Sequence, residues 1–228
     1  MGVITKTKER KKKQFFFKMS VYATIDFESV DTSGKWWCYG IMVAEYPSGN
    51  IVCSHHGKCP RTIDEFDDPT RQFWDQHPSS FDIISKYPST DTVTVAEQQL
   101  CRKVYSILLK YPHVRLVSDN PGFDIRILDN IMVKYGYKPT SHRANGGYLQ
   151  CTCTWSYQLP IMRMYKIQAC ELDEYMHAIG LGYALERSVT TYFGPKHTPR
   201  ADCARILSQH FKMLDLEKEF FLRALERK

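Results

Sequence analysis

The stretch "ATIDFESVD", which runs from Ala23 to Asp31, carries two carboxylates, Asp26 and Glu28, in an otherwise apolar segment. Side chains along a β-strand alternate between its two faces, so both acids are predicted to point the same way. Burying one unpaired acid is costly, and a second like charge beside it raises the cost. The pair therefore indicates either a solvated strand face or a cation that neutralises both carboxylates.

Composition favours one domain of ordinary size with an appendage. The chain has 228 residues, 43% of them hydrophobic, and no apolar run long enough to span a membrane. Its net charge of +6 is concentrated at the N-terminus. We interpret residues 1–18 as a basic flexible arm and residues 19–228 as one domain. The basic residues of the arm, opposed only by Glu9, are Lys6, Lys8, Arg10, Lys11, Lys12, Lys13 and Lys18.

The N-terminus lacks the apolar region of a secretory signal, so the protein is expected inside the cell, in the cytoplasm or nucleus. Its eight cysteines are then expected to be reduced. Four zinc-type ligands, Cys53, His55, His56 and Cys59, are crowded into "CSHHGKC". Because this spacing fits no standard finger, an incidental cluster and a zinc site both stay open.

The order of predicted elements indicates an α/β fold. Three strands joined by turn signals, near residues 19–30, 36–46 and 49–57, predict an antiparallel meander. Residues 60–92 read as irregular. Beyond them strands and helices alternate, which predicts a mixed sheet. The later helices are predicted at 95–111, 123–136 and 171–181, the later strands at 114–120 and 146–155, and one long or two packed helices at 198–227.

Three more residues have types and places that suit a metal-dependent site. Asp124 opens a predicted helix after "SDNPGF", Asp202 lies in the first turn of the last helical stretch, and His197 precedes that helix. Carboxylate oxygens suit Mg²⁺ and Mn²⁺, and two such ions about 4 Å apart can promote phosphodiester hydrolysis. Taken singly, each acid is also explained as an acid stabilised by a helix dipole, and the histidine as a surface residue.

Three segments taken together resemble the exonuclease motifs of the DEDDh family of 3′-to-5′ exonucleases, the RNase T-like group that includes the proofreading subunit of bacterial DNA polymerase. "TIDFES" resembles the first motif, Asp-x-Glu. "NPGFDIRIL" resembles the second, with Asn120, Phe123, Asp124 and Leu128 in matching places, and "HTPRAD" resembles the third, His-x4-Asp. The resemblance spans roughly residues 20–215.

The resemblance implies a ribonuclease H-like mixed sheet with helices on both faces. It also implies that Asp26, Glu28, Asp124 and Asp202 hold two ions of Mg²⁺ or Mn²⁺. Glu28 would lie near the terminal 3′-hydroxyl, and His197 would act as general base. The substrate would be the 3′ end of single-stranded DNA, or of RNA in the runner-up hypothesis. Candidates for substrate contact are Phe27, which is also expected to pack into the core, and Asn120, Phe123 and Trp74.

Two departures from the family pattern bear on these assignments. Asp119 lies five residues before Asp124 and competes with it for the second-motif role, although the Phe-Asp match favours Asp124. "FWDQHPSS" resembles a Trp-containing insert of some viral and phage members, which lies near the substrate cleft. The alternative is that Phe73 and Trp74 are core aromatics.

Three functions are open at this point. The first is a metal-dependent 3′-to-5′ exonuclease. The second is a catalytically inactive nuclease-fold adaptor that binds nucleic acid through its basic arm. The third is a ribonuclease H-type endonuclease, a family that lacks the His-x4-Asp pattern. The complete set of four acids and a histidine favours the first, because an adaptor has no need of clustered like charges.

Overall fold

The computed structural model describes residues 19–31, 33–140, 151–154, 156 and 194–226. The strands within these ranges are β1 (Ser20–Ser29), β2 (Trp36–Tyr46), β3 (Ile51–Lys58), β4 (Arg115–Ser118) and β5 (Cys151–Cys153). The helices there are α1 (Asp68–Asp75), α2 (Pro78–Ser85), α3 (Val93–Lys110), α4 (Pro121–Lys134) and α5 (Pro199–Glu226). The predicted basic arm at 1–18 and the predicted helix at 171–181 lie outside the described residues.

The strands form one mixed sheet in the order β3-β2-β1-β4-β5. The first three strands pair antiparallel, as the predicted meander requires, whereas β4 pairs parallel to both β1 and β5. Strand β1 therefore lies at the centre, and its carboxyl end meets the carboxyl end of β4 at the same edge. Side chains that follow these two strands are brought together there, as is usual for sites in α/β sheets.

Helices cover both faces of the sheet. Ala23, Ile25 and Phe27 of β1 belong to a buried cluster with apolar residues of α3 and α4. The alternate side chains on the other face, represented by Tyr22, pack against apolar residues of α5. Alternate side chains of β1 thus point toward α3 and α4 on one face and toward α5 on the other. With helices on both faces of a mixed sheet, the predicted ribonuclease H-like architecture is confirmed.

Residues 60–92, predicted to be irregular, instead contain helices α1 and α2 and a short 3₁₀-helix at Ile63–Glu65. The side chain of Asp67 accepts a hydrogen bond from Thr70 N at 2.9 Å and caps α1, and Pro78 begins α2. These are helix-start signals, but each helix spans only eight residues. Eight residues are too few for a helical period to be recognised in a sequence, so the periodicity analysis missed both helices.

The final stretch, left open as one helix or two, is the single helix α5 of 28 residues. Ala201, Ala204, Leu207 and Phe211 recur at helical spacing and are buried against the sheet. Among the described residues, no helix has the length and apolar character needed to cross a membrane.

Candidate active site

Asp26 and Glu28 project from the carboxyl-terminal half of β1, on the face that α5 covers. Phe27 between them points the opposite way and is buried in the core, as predicted. In the register with β2, Asp26 lies opposite Gly40 and Glu28 opposite Cys38, and the pairing shifts just after Glu28. The two acids therefore share one face at the point where the regular ladder ends.

Asp124 is brought to this edge by the short connection between β4 and α4. It is 2% exposed, and both its carboxylate oxygens accept hydrogen bonds. The hydroxyl of Ser118 donates to Oδ2 at 2.9 Å, and the backbone N–H of Phe27 donates to Oδ1 at 3.1 Å. The second bond ties Asp124 directly to the strand segment between Asp26 and Glu28.

Asp202 and His197 reach the same edge from α5 and the loop before it. Pro199 is the first residue of α5, and the Thr198 carbonyl accepts hydrogen bonds from Ala201 N at 2.8 Å and Asp202 N at 2.9 Å. His197 lies just outside the helix with a φ of 63°. This left-handed conformation is uncommon for residues other than glycine.

The structure brings all five predicted catalytic residues together. Ligand atoms of Glu28, His197 and Asp202 lie within 4.8 Å of one another, and so do carboxylate oxygens of Asp26, Asp119 and Asp124. In the described part of the chain, these are the groups of three or more possible metal ligands. Asp119, the competitor in the second motif, joins Asp124 in the cluster and does not replace it.

The donor set fits a hard divalent cation. Carboxylate oxygens dominate both groups, and such ligands suit Mg²⁺ and Mn²⁺. One of them, Asp26 Oδ2, is buried and has no hydrogen-bond partner among the described residues. A buried, unpaired carboxylate oxygen is costly unless a cation lies against it. The residues of these two groups are therefore the ones that would hold a divalent ion.

Mutual repulsion adds to burial in raising the pKa of the acids on β1. Burial raises the pKa of Asp26 well above its usual value, and the charges of Glu28 and Asp124 raise it further. Burial and the charges of Asp202, Asp124 and Asp119 do the same for the pKa of Glu28. Without a cation, therefore, ionisation of these side chains is opposed by the fold itself.

The other three groups respond to different surroundings. Burial raises the pKa of Asp124 to about 7, against the hydrogen bonds from Ser118 and Phe27. Burial also raises the pKa of Asp202, and Arg205, whose Nη1 lies 3.0 Å from Asp202 Oδ1, opposes that shift. Burial lowers the pKa of His197, and the charges of His77, Lys196 and Arg205 lower it further. A lowered pKa keeps His197 neutral at physiological pH.

Two of the four candidates for substrate contact lie inside the core. Phe27 is 4% exposed and Trp74 is 2% exposed, and Trp74 lies in a cluster with Trp37 of β2. Both side chains are buried by apolar packing, so the hypothesis of substrate contact does not fit them. For Trp74, the alternative of a core aromatic does fit. Asn120 is exposed and Phe123 half-buried beside Asp124, so these two remain candidates.

Two residues that position the site were not predicted from the sequence. Ser118 links Asp124 to the following loop, because its hydroxyl also accepts a bond from Asn120 N at 3.0 Å. Gly40 allows α5 to approach β2: a Cβ placed there would lie 2.5–2.7 Å from backbone atoms of Pro199 and Arg200. The role of Ser118 could have been suspected from its place at the end of a strand just before an acid. Nothing in the sequence around Gly40 indicated the close approach of α5.

Replacing Gly40 by alanine should push the start of α5 away from β2. The clash involves backbone atoms, so the helix must move, and Asp202 and His197 move with it. We expect about a 10²-fold loss of hydrolytic rate, the usual cost of a shift near 1 Å in a catalytic group. Gly122→Ala is the matched control, because its Cβ would meet only one atom, at 3.9 Å. Equal rates for Gly40→Ala and wild type in a single-turnover assay would contradict this role.

The cluster of cysteines and histidines on and after β3 does not form a metal site among the described residues. Cys53, His55, His56 and Cys59 appear in neither group of converging ligands. Cys59 is fully buried, and burial raises its pKa to about 12. All seven described cysteines are free thiols. Among the described residues, no three of these four side chains converge on one point.

Comparison with known proteins identifies the fold. No protein-family model matches the chain, and no curated protein sequence matches it. Among solved structures, the nuclease domain of 3′hExo, a DEDDh family member bound to rAMP, has a TM-score of 0.52 at 14% identity, over 87% of this chain and 94% of that one.

Two further structures give the same result. Cell-death related nuclease 4 (CRN-4) has a TM-score of 0.54 at 14% identity, over 86% of this chain and 64% of that one. E. coli Exonuclease I in complex with a dA16 oligonucleotide has a TM-score of 0.56 at 14% identity, over 89% of this chain. The chain spans only 43% of that enzyme. Its fold is that of DEDDh-family exonuclease domains.

Proposed function

We propose that this protein is a metal-dependent exonuclease that hydrolyses phosphodiester bonds at the 3′ end of single-stranded nucleic acid. One observation carries the proposal. Four carboxylates and a histidine from three distant segments of the sequence converge at the carboxyl end of β1. Clustered acids of this kind oppose folding when they are ionised without a partner, so a cation-dependent reaction explains them better than structure alone.

Asp26, Glu28, Asp124 and Asp202 would hold two divalent ions, Mg²⁺ or Mn²⁺. When bound, such ions supply activation of a water molecule and stabilisation of the leaving oxygen. The hydrogen bonds to both oxygens of Asp124 leave each oxygen a further lone pair for this purpose. Ser118 and the Phe27 backbone therefore orient the carboxylate without occupying it fully.

His197 would accept the proton of the attacking water. One of its ring nitrogens lies within 4.8 Å of carboxylate oxygens of Glu28 and Asp202, so the imidazole faces the cluster. Its lowered pKa supplies the neutral form that a general base needs. Glu28, on the neighbouring strand end, would lie near the terminal 3′-hydroxyl.

Single-stranded nucleic acid is the substrate class that the structural neighbours support. The 3′hExo nuclease domain was solved with rAMP, and Exonuclease I with dA16. We place DNA slightly ahead of RNA, with a 3′-to-5′ exoribonuclease as the close alternative. An inactive adaptor is disfavoured, because a chain without catalysis gains nothing from repelling buried acids.

A time course with labelled single-stranded DNA and RNA oligomers of one sequence tests this assignment. We expect hydrolysis in Mg²⁺ or Mn²⁺, none in a chelator, and faster turnover of DNA. RNA cleaved faster than DNA would establish the exoribonuclease alternative, because discrimination depends on contacts to the 2′-hydroxyl. Binding of both oligomers without hydrolysis in either metal would contradict the proposal and support the adaptor.

A further inference from the structure

The segment of α1 and α2, residues 68–85, contacts the loop that carries His197. This segment follows the meander in sequence and lies more than a hundred residues before His197. Its buried side belongs to a cluster with Trp37, Phe66 and Trp74. Phe73, His77 and Ser80 of this segment contact His197 or the residue before it.

Two aromatic side chains of this segment contact the His197 ring. Phe73 and His77 lie one helical turn apart and stack with ring centroids 4.5 Å apart at 22°. The His197 ring stands edge-to-face against both, at 5.0 Å and 82° to Phe73 and at 4.4 Å and 82° to His77. Such contacts fix the plane of a ring as well as its position.

The backbone of the same loop is held by α2. The hydroxyl of Ser80, which is 2% exposed, donates to the carbonyl of Lys196 at 2.7 Å. A Cβ on Gly194 would lie 3.4 Å from Ile83 Cδ1, so Ile83 packs closely on the start of the loop. Unusual conformations such as that of His197 persist only where their surroundings determine them, and these contacts supply such surroundings.

The ring of His77 is held in place by a hydrogen bond within the same segment. Its Nδ1 lies 2.8 Å from the carbonyl oxygen of Phe73, which can only accept a hydrogen bond. Nδ1 therefore carries the proton, and the ring is fixed by its own helix. Because the His77 ring is fixed, it restrains the position of the His197 ring that packs against it.

We infer that Phe73 and His77 are positioning residues that hold the imidazole of His197 toward Glu28 and Asp202. The inference rests on the proposed function, in which His197 is the general base. It assigns the short helical segment a role in catalysis that does not require contact with substrate. Trp74, beside Phe73 in sequence, anchors the segment to the core.

The test is a double-mutant cycle between the pair and His197, read by single-turnover rates at saturating substrate. We expect Phe73→Leu and His77→Leu each to lower the rate about 10- to 100-fold through misplacement of His197. The substrate concentration at half saturation should change by less than about two-fold, because neither ring is placed on the substrate. Phe73→Tyr keeps the ring and should restore most of the rate.

In chains that already carry His197→Ala, the same substitutions should change the remaining rate by less than about two-fold, because the side chain they position is gone. Phe81→Leu is the matched control: its ring stacks on Trp37 at 5.2 Å, within the same segment. We expect this control to keep its rate, and thermal melts to show all variants folded.

Three results would overturn the inference and leave the proposed function intact. The first is a wild-type rate in Phe73→Leu and His77→Leu while His197→Ala is slow. The second is an equal loss from these substitutions with and without His197. A rise in the half-saturation concentration at an unchanged rate would also overturn it, by making the pair a substrate contact. A wild-type rate in His197→Ala would remove His197 as the general base, and the inference that rests on that role would be overturned with it.

Discussion

Replacing Asp26 by asparagine should abolish hydrolysis of single-stranded oligomers and leave the fold intact. Asp26 is the predicted ligand whose buried Oδ2 has no hydrogen-bond partner among the described residues, so a cation is the partner it needs most. Asparagine keeps the shape of the side chain and removes the charge that holds a divalent ion. Turnover in Mg²⁺ or Mn²⁺ should fall to the level measured in a chelator.

The same substitution should make the metal-free chain less sensitive to pH. The raised pKa of Asp26 means that the folded chain binds a proton more tightly than the unfolded chain. The free energy of unfolding therefore falls as pH rises from about 4 through the folded pKa values of the cluster. Asparagine removes one of the charges that cause this fall.

Thermal melts in a chelator at pH 5 and pH 8 measure this effect. We expect the melting temperature to drop less in Asp26→Asn than in wild type, by about 2–4 °C for each kcal/mol of repulsion removed. Added Mg²⁺ should raise the wild-type value more than that of the variant. Asp91→Asn, at an exposed aspartate outside the cluster, is the control. Full turnover by Asp26→Asn would show that the site is assigned wrongly.

Replacing His197 by alanine should lower the single-turnover rate about 10²- to 10⁴-fold, the usual contribution of a general base. The four acids remain in this variant, so binding of Mg²⁺ should persist. An unperturbed histidine titrates near 6.5, and burial, His77, Lys196 and Arg205 lower the pKa of His197 from there. The wild-type rate should therefore rise with pH in the acid range and level off by about neutral pH.

Single-turnover rates from about pH 5 to pH 9 separate this role from a structural one. Loss of the base should flatten the rise as well as lower the rate. His113→Ala is the matched control, because His113 is exposed just before β4 and lies outside the cluster. A His197→Ala chain within a few-fold of wild type at every pH would remove the histidine from the mechanism.

The parts of the fold that follow from local pattern were predictable. Alternation in β1 placed Asp26 and Glu28 on one face and Phe27 on the other, and both follow from a period of two. The sequence around Asp124 indicated a helix start after a strand, and α4 begins at Pro121. Parallel pairing of β1 and β4 then brought these acids to one edge.

What was missed depends on contacts between distant segments. Gly40 looks like any glycine in a strand, and only the approach of Pro199 shows why a larger residue cannot stand there. Trp74 and Phe73 are neighbours in "FWDQHPSS", yet one is buried and the other faces His197. Periodicity within eight residues cannot show which of the two side chains is buried, because the residues that contact them come from distant parts of the chain.

The central claim, a metal-dependent attack on 3′ ends, is tested most directly by comparing a linear and a circular form of the same labelled single-stranded oligomer in Mg²⁺ or Mn²⁺. The account predicts that the linear strand is shortened one nucleotide at a time from its 3′ end to mononucleotides. It predicts that the circle, and a linear strand blocked by a 3′-phosphate, stay intact. Asp26→Asn run beside wild type excludes a contaminating nuclease. Cleavage of the circle as fast as the linear strand would identify an endonuclease and contradict the account.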